Sequence, residues 1–170
     1  KDYLPQHFLD DMSGTEDLDL VGSAHIQVDG ALADPVSETS WLSKHSKSGI
    51  PSVIVGFVDL TKEDADSVLK NHLSFDEFRG VRQIIGLLEQ RPDLSFTKEH
   101  LLRNSSWQEN FALLDKHNLS FDLQLYPEQM KEAAEFLGGF PKVPIVIDHA
   151  GSPYDQTDSG LELWRDGLLA

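Results

Sequence analysis

Leu119-Ser120-Phe121-Asp122-Leu123-Gln124-Leu125-Tyr126-Pro127-Glu128-Gln129-Met130 is the stretch on which the fold turns. Phe121, Leu123 and Leu125 alternate with Asp122, Gln124 and Tyr126, the two-residue period of a strand. Pro127 then suits the first turn of a helix over Glu128–Leu137, and Gly138-Gly139 ends it. The same strand-then-helix unit recurs on either side. Strands are expected at Val21–Val28, Ser52–Asp59, Arg79–Ile85, Ser120–Tyr126 and Val143–Asp148. Helices are expected at Pro5–Met12, Val36–Ser46, Lys62–Leu73 and Ser106–His117, with a last one from near Ser159-Gly160 onward. Asp34-Pro35 opens the second helix and Thr61 precedes the third, while Gly86–His100 is a polar, irregular insertion.

Repeated alternation of this kind is the mark of an α/β protein with a parallel sheet. Five such units make either a doubly wound sheet or part of an eight-stranded (β/α)8 barrel. A dinucleotide fold carries a glycine-rich turn after an early strand, and a nucleotide phosphate loop carries its own motif. Neither is here, so the partial barrel is preferred. The 170 residues fit one domain spanning 1–170, with no linker or low-complexity tract. With 29 acidic against 14 basic residues and a net charge of −15, a nucleic-acid surface or an acidic membrane partner is disfavoured. The absence of cysteine excludes thiolate zinc sites and cysteine nucleophiles. The longest apolar runs, Val53–Val58 and Val143–Ile147, fall far short of the roughly 18 residues that cross a bilayer. No targeting signal is visible, which makes a cytoplasmic location the default expectation.

Polar side chains on strands covered on both faces are costly unless paired or functional. His25 and Gln27 share one face of the first strand. Asp122, Gln124 and Tyr126 share one face of the fourth, Arg82 and Gln83 follow Val81, and Asp148-His149 closes the fifth. Barrel enzymes place their chemistry at these carboxyl ends. His25 reads as either a hydrogen-bonded core residue or a catalyst, and Asp122 as either a backbone partner or a pocket wall. Gln83 and Gln124 are suited to orienting a substrate or to structural bonding. Arg82 suits a substrate carboxylate, a developing oxyanion or an inter-strand ion pair. Asp148-His149 is the strongest functional pair. His7, His45, His72, His100 and His117 fall on helices or loops and are expected to be solvated, and no His-x-His occurs.

Several of these stretches carry a family resemblance. Val21-Gly22-Ser23-Ala24-His25-Ile26-Gln27-Val28 and Asp34–Leu42 are similar to the second βα unit of the amidohydrolase-related TIM-barrel hydrolases. Phe78–Gln83 resembles that family's fourth strand and Leu119–Pro127 its fifth. Ile147–Pro153 resembles its sixth, and Gly160–Arg165 the following helix. The resemblance implies a group that includes sugar-acid and pyrone-dicarboxylate lactonases. It implies a barrel of about 250 residues, so the chain is expected to be a fragment holding strands two to six. The His-x-His of the first strand and the catalytic Asp of the eighth are then outside it. A divalent metal ion, zinc or manganese, is implied for the full-length protein, with His149 as a metal ligand or a catalytic group, although some lactonases of this group act without metal. Arg82, Gln83, Gln124, Tyr126, His25 and Asp122 are implied as substrate-binding residues. The expected activity is opening of a lactone by water; the alternatives are a metal-dependent decarboxylation or a non-catalytic fragment. The expected partner is a small-molecule substrate, with self-association through open sheet edges.

Overall fold

The computed structural model describes residues 3–15, 19–28 and 33–170. In chain order these form α1 (Pro5–Met12), β1 (Ala24–Ile26), α2 (Ser37–His45), β2 (Val53–Gly56), α3 (Ala65–His72), β3 (Phe78–Arg82), α4 (Ser105–His117), β4 (Ser120–Leu123), α5 (Pro127–Leu137), β5 (Ile145–Ile147) and α6 (Asp158–Leu168). The five strands are all parallel and lie side by side in the order β1-β2-β3-β4-β5. A doubly wound sheet reverses its strand order at a switch point. This sheet never reverses, so it is the curved half of a (β/α)8 barrel.

The core lies between the sheet and its helices. Trp107, Phe111 and Leu114 recur at helical spacing on α4, and all three are fully buried. They meet Phe121 of β4, whose ring lies 5.9 Å from Trp107 and 5.2 Å from Phe111. Phe136 and Phe140 complete the aromatic cluster, 5.3 Å and 5.1 Å from Phe111. Leu123 and Leu125 face the same layer, so the apolar half of the alternation in residues 119–127 is the helix side. Asp122 and Gln124 therefore face the concave side.

The strands are shorter than the alternation predicts, ending at Gly56, Arg82, Leu123 and Ile147. Beyond those points the chain leaves the ladder but stays extended, as where the Ile85 N–H donates to the Gln124 carbonyl at 3.0 Å. Asp34 caps a turn rather than the helix: its Oδ1 accepts from the Val36 N–H at 3.0 Å, and α2 starts at Ser37. The Asp59 carboxylate likewise takes the Thr61 N–H and hydroxyl at 3.0 and 2.7 Å, which delays α3 to Ala65.

His72 overturns the expectation that it is solvated. It is fully buried, its Nε2 within 3.0 Å of the Phe57 carbonyl and its Nδ1 within 3.0 Å of the Thr39 hydroxyl. The ring stacks on Phe78 at 4.6 Å. Gly56 makes room for this arrangement, since a Cβ there would sit 2.9 Å from Phe78 and 3.0 Å from His72. With both ring nitrogens paired, the cost of burying an imidazole is met by hydrogen bonds that tie α2, α3 and the end of β2 together. No helix among the described residues is long and apolar enough to cross a membrane.

Candidate active site

Arg82 and Asp122 are register partners on β3 and β4, and Asp148 follows β5 directly. The pairing puts all three on the concave side. Arg82 Nε lies 3.6 Å from Asp148 Oδ2, close enough for an ion pair but too long for a hydrogen bond. Both atoms are buried with no hydrogen-bond partner. Burial, and then the negative charge of Asp148, raises the Asp122 pKa to about 6, against the pull of Arg82. The guanidinium is thus flanked by two carboxyl groups, one of them able to carry a proton close to neutral pH.

Beside this charged floor, an open recess of about 400 Å3 is lined by Phe96, Gln124, Tyr126, His149, Ser152, Pro153 and Tyr154. Gln124, Tyr126 and His149 converge there at the carboxyl ends of β4 and β5. Gln124 is only 5% exposed, and its Oε1 is buried without a partner. The Tyr126 hydroxyl donates to the Leu94 carbonyl at 2.6 Å, and the ring packs edge-on against Tyr154 at 5.4 Å. Burial and the nearby Glu128 and Asp93 charges raise the Tyr126 pKa. A 2.6 Å hydrogen bond to Glu128, together with burial, pushes Tyr154 up to about 12. Both phenols stay protonated at neutral pH.

His149 enters the recess on a left-handed turn. The φ angles of His149, Ala150, Gly151 and Ser152 are 50°, 52°, 75° and 50°. Each non-glycine residue so placed costs about 1–2 kcal/mol, and such conformations persist only where the surroundings hold them. The Trp164 indole N–H of α6 donates to the Ala150 carbonyl at 2.6 Å, and the Ser152 N–H to the His149 carbonyl at 2.9 Å. Gly151 permits no side chain, because a Cβ would lie 1.9 Å from the Met130 methyl group on α5.

Two of the residues expected in the site lie on the other face of the sheet. His25 points to the helix layer, where its Nε2 is 2.9 Å from Glu38 Oε1 on α2. Gln27, two residues on, is buried. Gln83 also turns to the helices: its Oε1 accepts from the Leu60 N–H at 3.0 Å and the Trp107 indole at 2.9 Å, and its amide donates to Asp59 at 3.0 Å. It holds β3 to α4 and to the β2–α3 turn. Conversely, Phe96, Ser152, Pro153 and Tyr154 line the recess without having been singled out. Ser152 to Tyr154 directly follow the Asp148-His149 pair, and that adjacency was the available signal. Phe96 sits in the polar insertion and carried none.

Among the described residues no three His, Cys, Asp or Glu side chains gather to hold a metal ion. Asp122 and Asp148 face Arg82, and His149 stands alone in the recess, so this donor set does not make a metal site by itself.

Comparison with known proteins places this architecture. A family model described as Amidohydrolase matches residues 41–169. An uncharacterised protein, y4mH, of Sinorhizobium fredii is 34% identical over 169 residues, 99% of this chain and 56% of its own length. An L-fucono-1,5-lactonase of Burkholderia ambifaria is 28% identical over 108 residues, 64% of this chain and 34% of its own. An amidohydrolase from Burkholderia multivorans, solved with bound HEPES, superposes with a TM-score of 0.74, and a second crystal form with bound zinc with 0.73. Each is 20% identical and covers 99% of this chain but only 55% of its own. The chain therefore spans just over half the length of y4mH and of the solved structures. With the family model running from α2 through α6, and 34% identity to a relative along nearly the whole sequence, this chain belongs to the amidohydrolase family.

Proposed function

We propose that this chain carries the substrate-binding half of a hydrolase that opens a lactone, the cyclic ester of a sugar acid. The observation that carries the reading is the convergence of His149, Gln124 and Tyr126 in one recess at the strand ends. Water adds to the ring carbonyl carbon, the carbonyl oxygen takes up negative charge, and the ring C–O bond then breaks as a proton reaches the departing oxygen. His149 holds the developing oxyanion, where a donor fixed in advance is most effective. The left-handed turn, braced by Trp164 at the Ala150 carbonyl, sets the backbone from which His149 enters the recess. Gln124 and Tyr126 orient the ring. The resemblance assigns activation of the water to an Asp on the family's eighth strand, outside these five strands, or to a metal ion.

Arg82 takes a different part from the one its charge first suggests. Its guanidinium is already matched by Asp148 and Asp122, so it holds the floor of the site instead of pairing with a substrate carboxylate. That favours an uncharged sugar lactone over a dicarboxylate, in keeping with the lactonase among the relatives. The test is acid release from sugar 1,5-lactones by the full-length protein. His149→Ala is expected to lower kcat by about 10²–10³ with the fold intact. Hydrolysis unchanged in that variant would remove His149 from the mechanism.

A further inference from the structure

Phe96 is 60% exposed, yet it is not loosely held. The Phe96 N–H donates to the Gly86 carbonyl at 2.9 Å, closing the insertion on its own base. Beside it, Ser95 Oγ accepts from the Leu88 N–H at 2.8 Å, and the Leu94 carbonyl takes the Tyr126 hydroxyl at 2.6 Å. These bonds fix the Phe96 ring at 6.3 Å from Tyr126 with only 20° between their planes. Gly86 lies under both rings: a Cβ there would be 3.2 Å from Tyr126 and 3.3 Å from Phe96. Tyr154 closes a third side, edge-on to Tyr126. An apolar ring held open to water is unfavourable by itself, and here the insertion holds one against a recess. Gln124 lines that recess too, and its side-chain amide oxygen Oε1 is buried and unpaired. An unpaired acceptor calls for a ligand with a hydrogen to donate.

We propose that Phe96 is a specificity-determining residue: with Tyr126 and Tyr154 it forms an aromatic slot for the C–H face of a sugar-lactone ring, one of whose hydroxyls donates to Gln124. The inference rests on the lactone reading above and adds to it the demand for both an apolar ring face and a hydroxyl donor. Negative aromatic faces attract C–H edges, and the neutral Gln124 amide takes a hydroxyl at its oxygen while offering no countercharge to a carboxylate. Hydroxylated lactones are therefore bound in preference to hydroxyl-free ones of the same ring size.

The test uses the full-length protein and two probes, a sugar 1,5-lactone for turnover and the corresponding 1,5-lactam for binding by calorimetry. Phe96 is on the surface, so Phe96→Ala is expected to keep the melting temperature. It should weaken lactam binding about tenfold, as loss of a contact ring does, and raise KM equally with kcat within about twofold. Phe96→Trp should restore both, and its added tryptophan emission should change as the lactam saturates. Lactam binding by Phe96→Ala within twofold of the parent overturns the slot, even where lactone turnover proceeds and the hydrolase reading stands. Lactam binding that depends on Phe96 in a protein that opens no lactone supports the slot and overturns the hydrolase reading instead.

Discussion

Asp122 and His72 are buried ionisable residues whose effects on stability run in opposite directions with pH. The Asp122 carboxyl, with an ordinary value of 3.8, titrates near 6 in the fold because of burial and the Asp148 charge. Between those values the folded state holds a proton that the unfolded chain has released. Stability from this residue thus falls as pH rises through the window and is flat above it. Burial lowers the His72 pKa below its ordinary 6.5. The unfolded chain then takes up the extra proton, so stability from His72 is present above about pH 6.5 and is lost on acidification. Asp122→Asn removes the first effect. It is expected to stabilise the protein by about 2–3 kcal/mol at pH 8 and not at all below pH 4. Its stability should also fall more steeply than the parent's between pH 7 and pH 5. Urea melts at these pH values check both, and an unchanged profile would sink the assignment.

At the scale of elements, neighbouring residues separate onto two faces. Arg82 ends β3 and Gln83 follows it in extended chain, so alternation forbids both from entering one pocket. Gln83→Leu leaves the Leu60 N–H and the Trp107 indole without their acceptor. It should destabilise by about 2–4 kcal/mol in urea melts with KM unchanged; a KM change without a stability loss would return Gln83 to the site. The turn that presents His149 gives a second prediction. Ala150→Gly should raise stability by about 0.5–1 kcal/mol by relieving a left-handed alanine, while Gly151→Ala should lower it sharply against Met130. Thermal melts of the two variants decide. These cases show how far the sequence was legible. On β4 the apolar set Phe121, Leu123 and Leu125 identifies the helix face, and Asp122, Gln124 and Tyr126 follow on the other. On β1 His25 turns to the helices, because Glu38 from α2 offers it a partner across 13 positions. The strand pattern alone contains no trace of that partner. The left-handed backbone at His149 and Ala150 was equally invisible, since the hydrogen bond that braces it comes from Trp164 on α6.

At the scale of the whole molecule, the sheet formed by the described residues has two outer strands, β1 and β5, each with one edge unpaired among those residues. Val146 and Ile147 on β5 are 49% and 44% exposed. Unpaired edges with apolar side chains favour association, and the net charge of −15 opposes it. We propose that the 170-residue chain by itself self-associates, and more strongly as salt screens that repulsion. Sedimentation at about 50 and 500 mM salt should show a rising average mass; a monomer at both would refute it. The unbroken strand order has a bearing on how the protein is made. A ribosome releases the amino end first, at about 5–20 residues per second, and here each strand after β1 pairs with the one synthesised just before it. Each of β2 to β5 emerges with one partner already made, so the sheet can be laid down in the order in which it is decoded. Nascent chains stalled after α5 should already protect β1 to β4 from protease, each newly emerged strand finding its template in place.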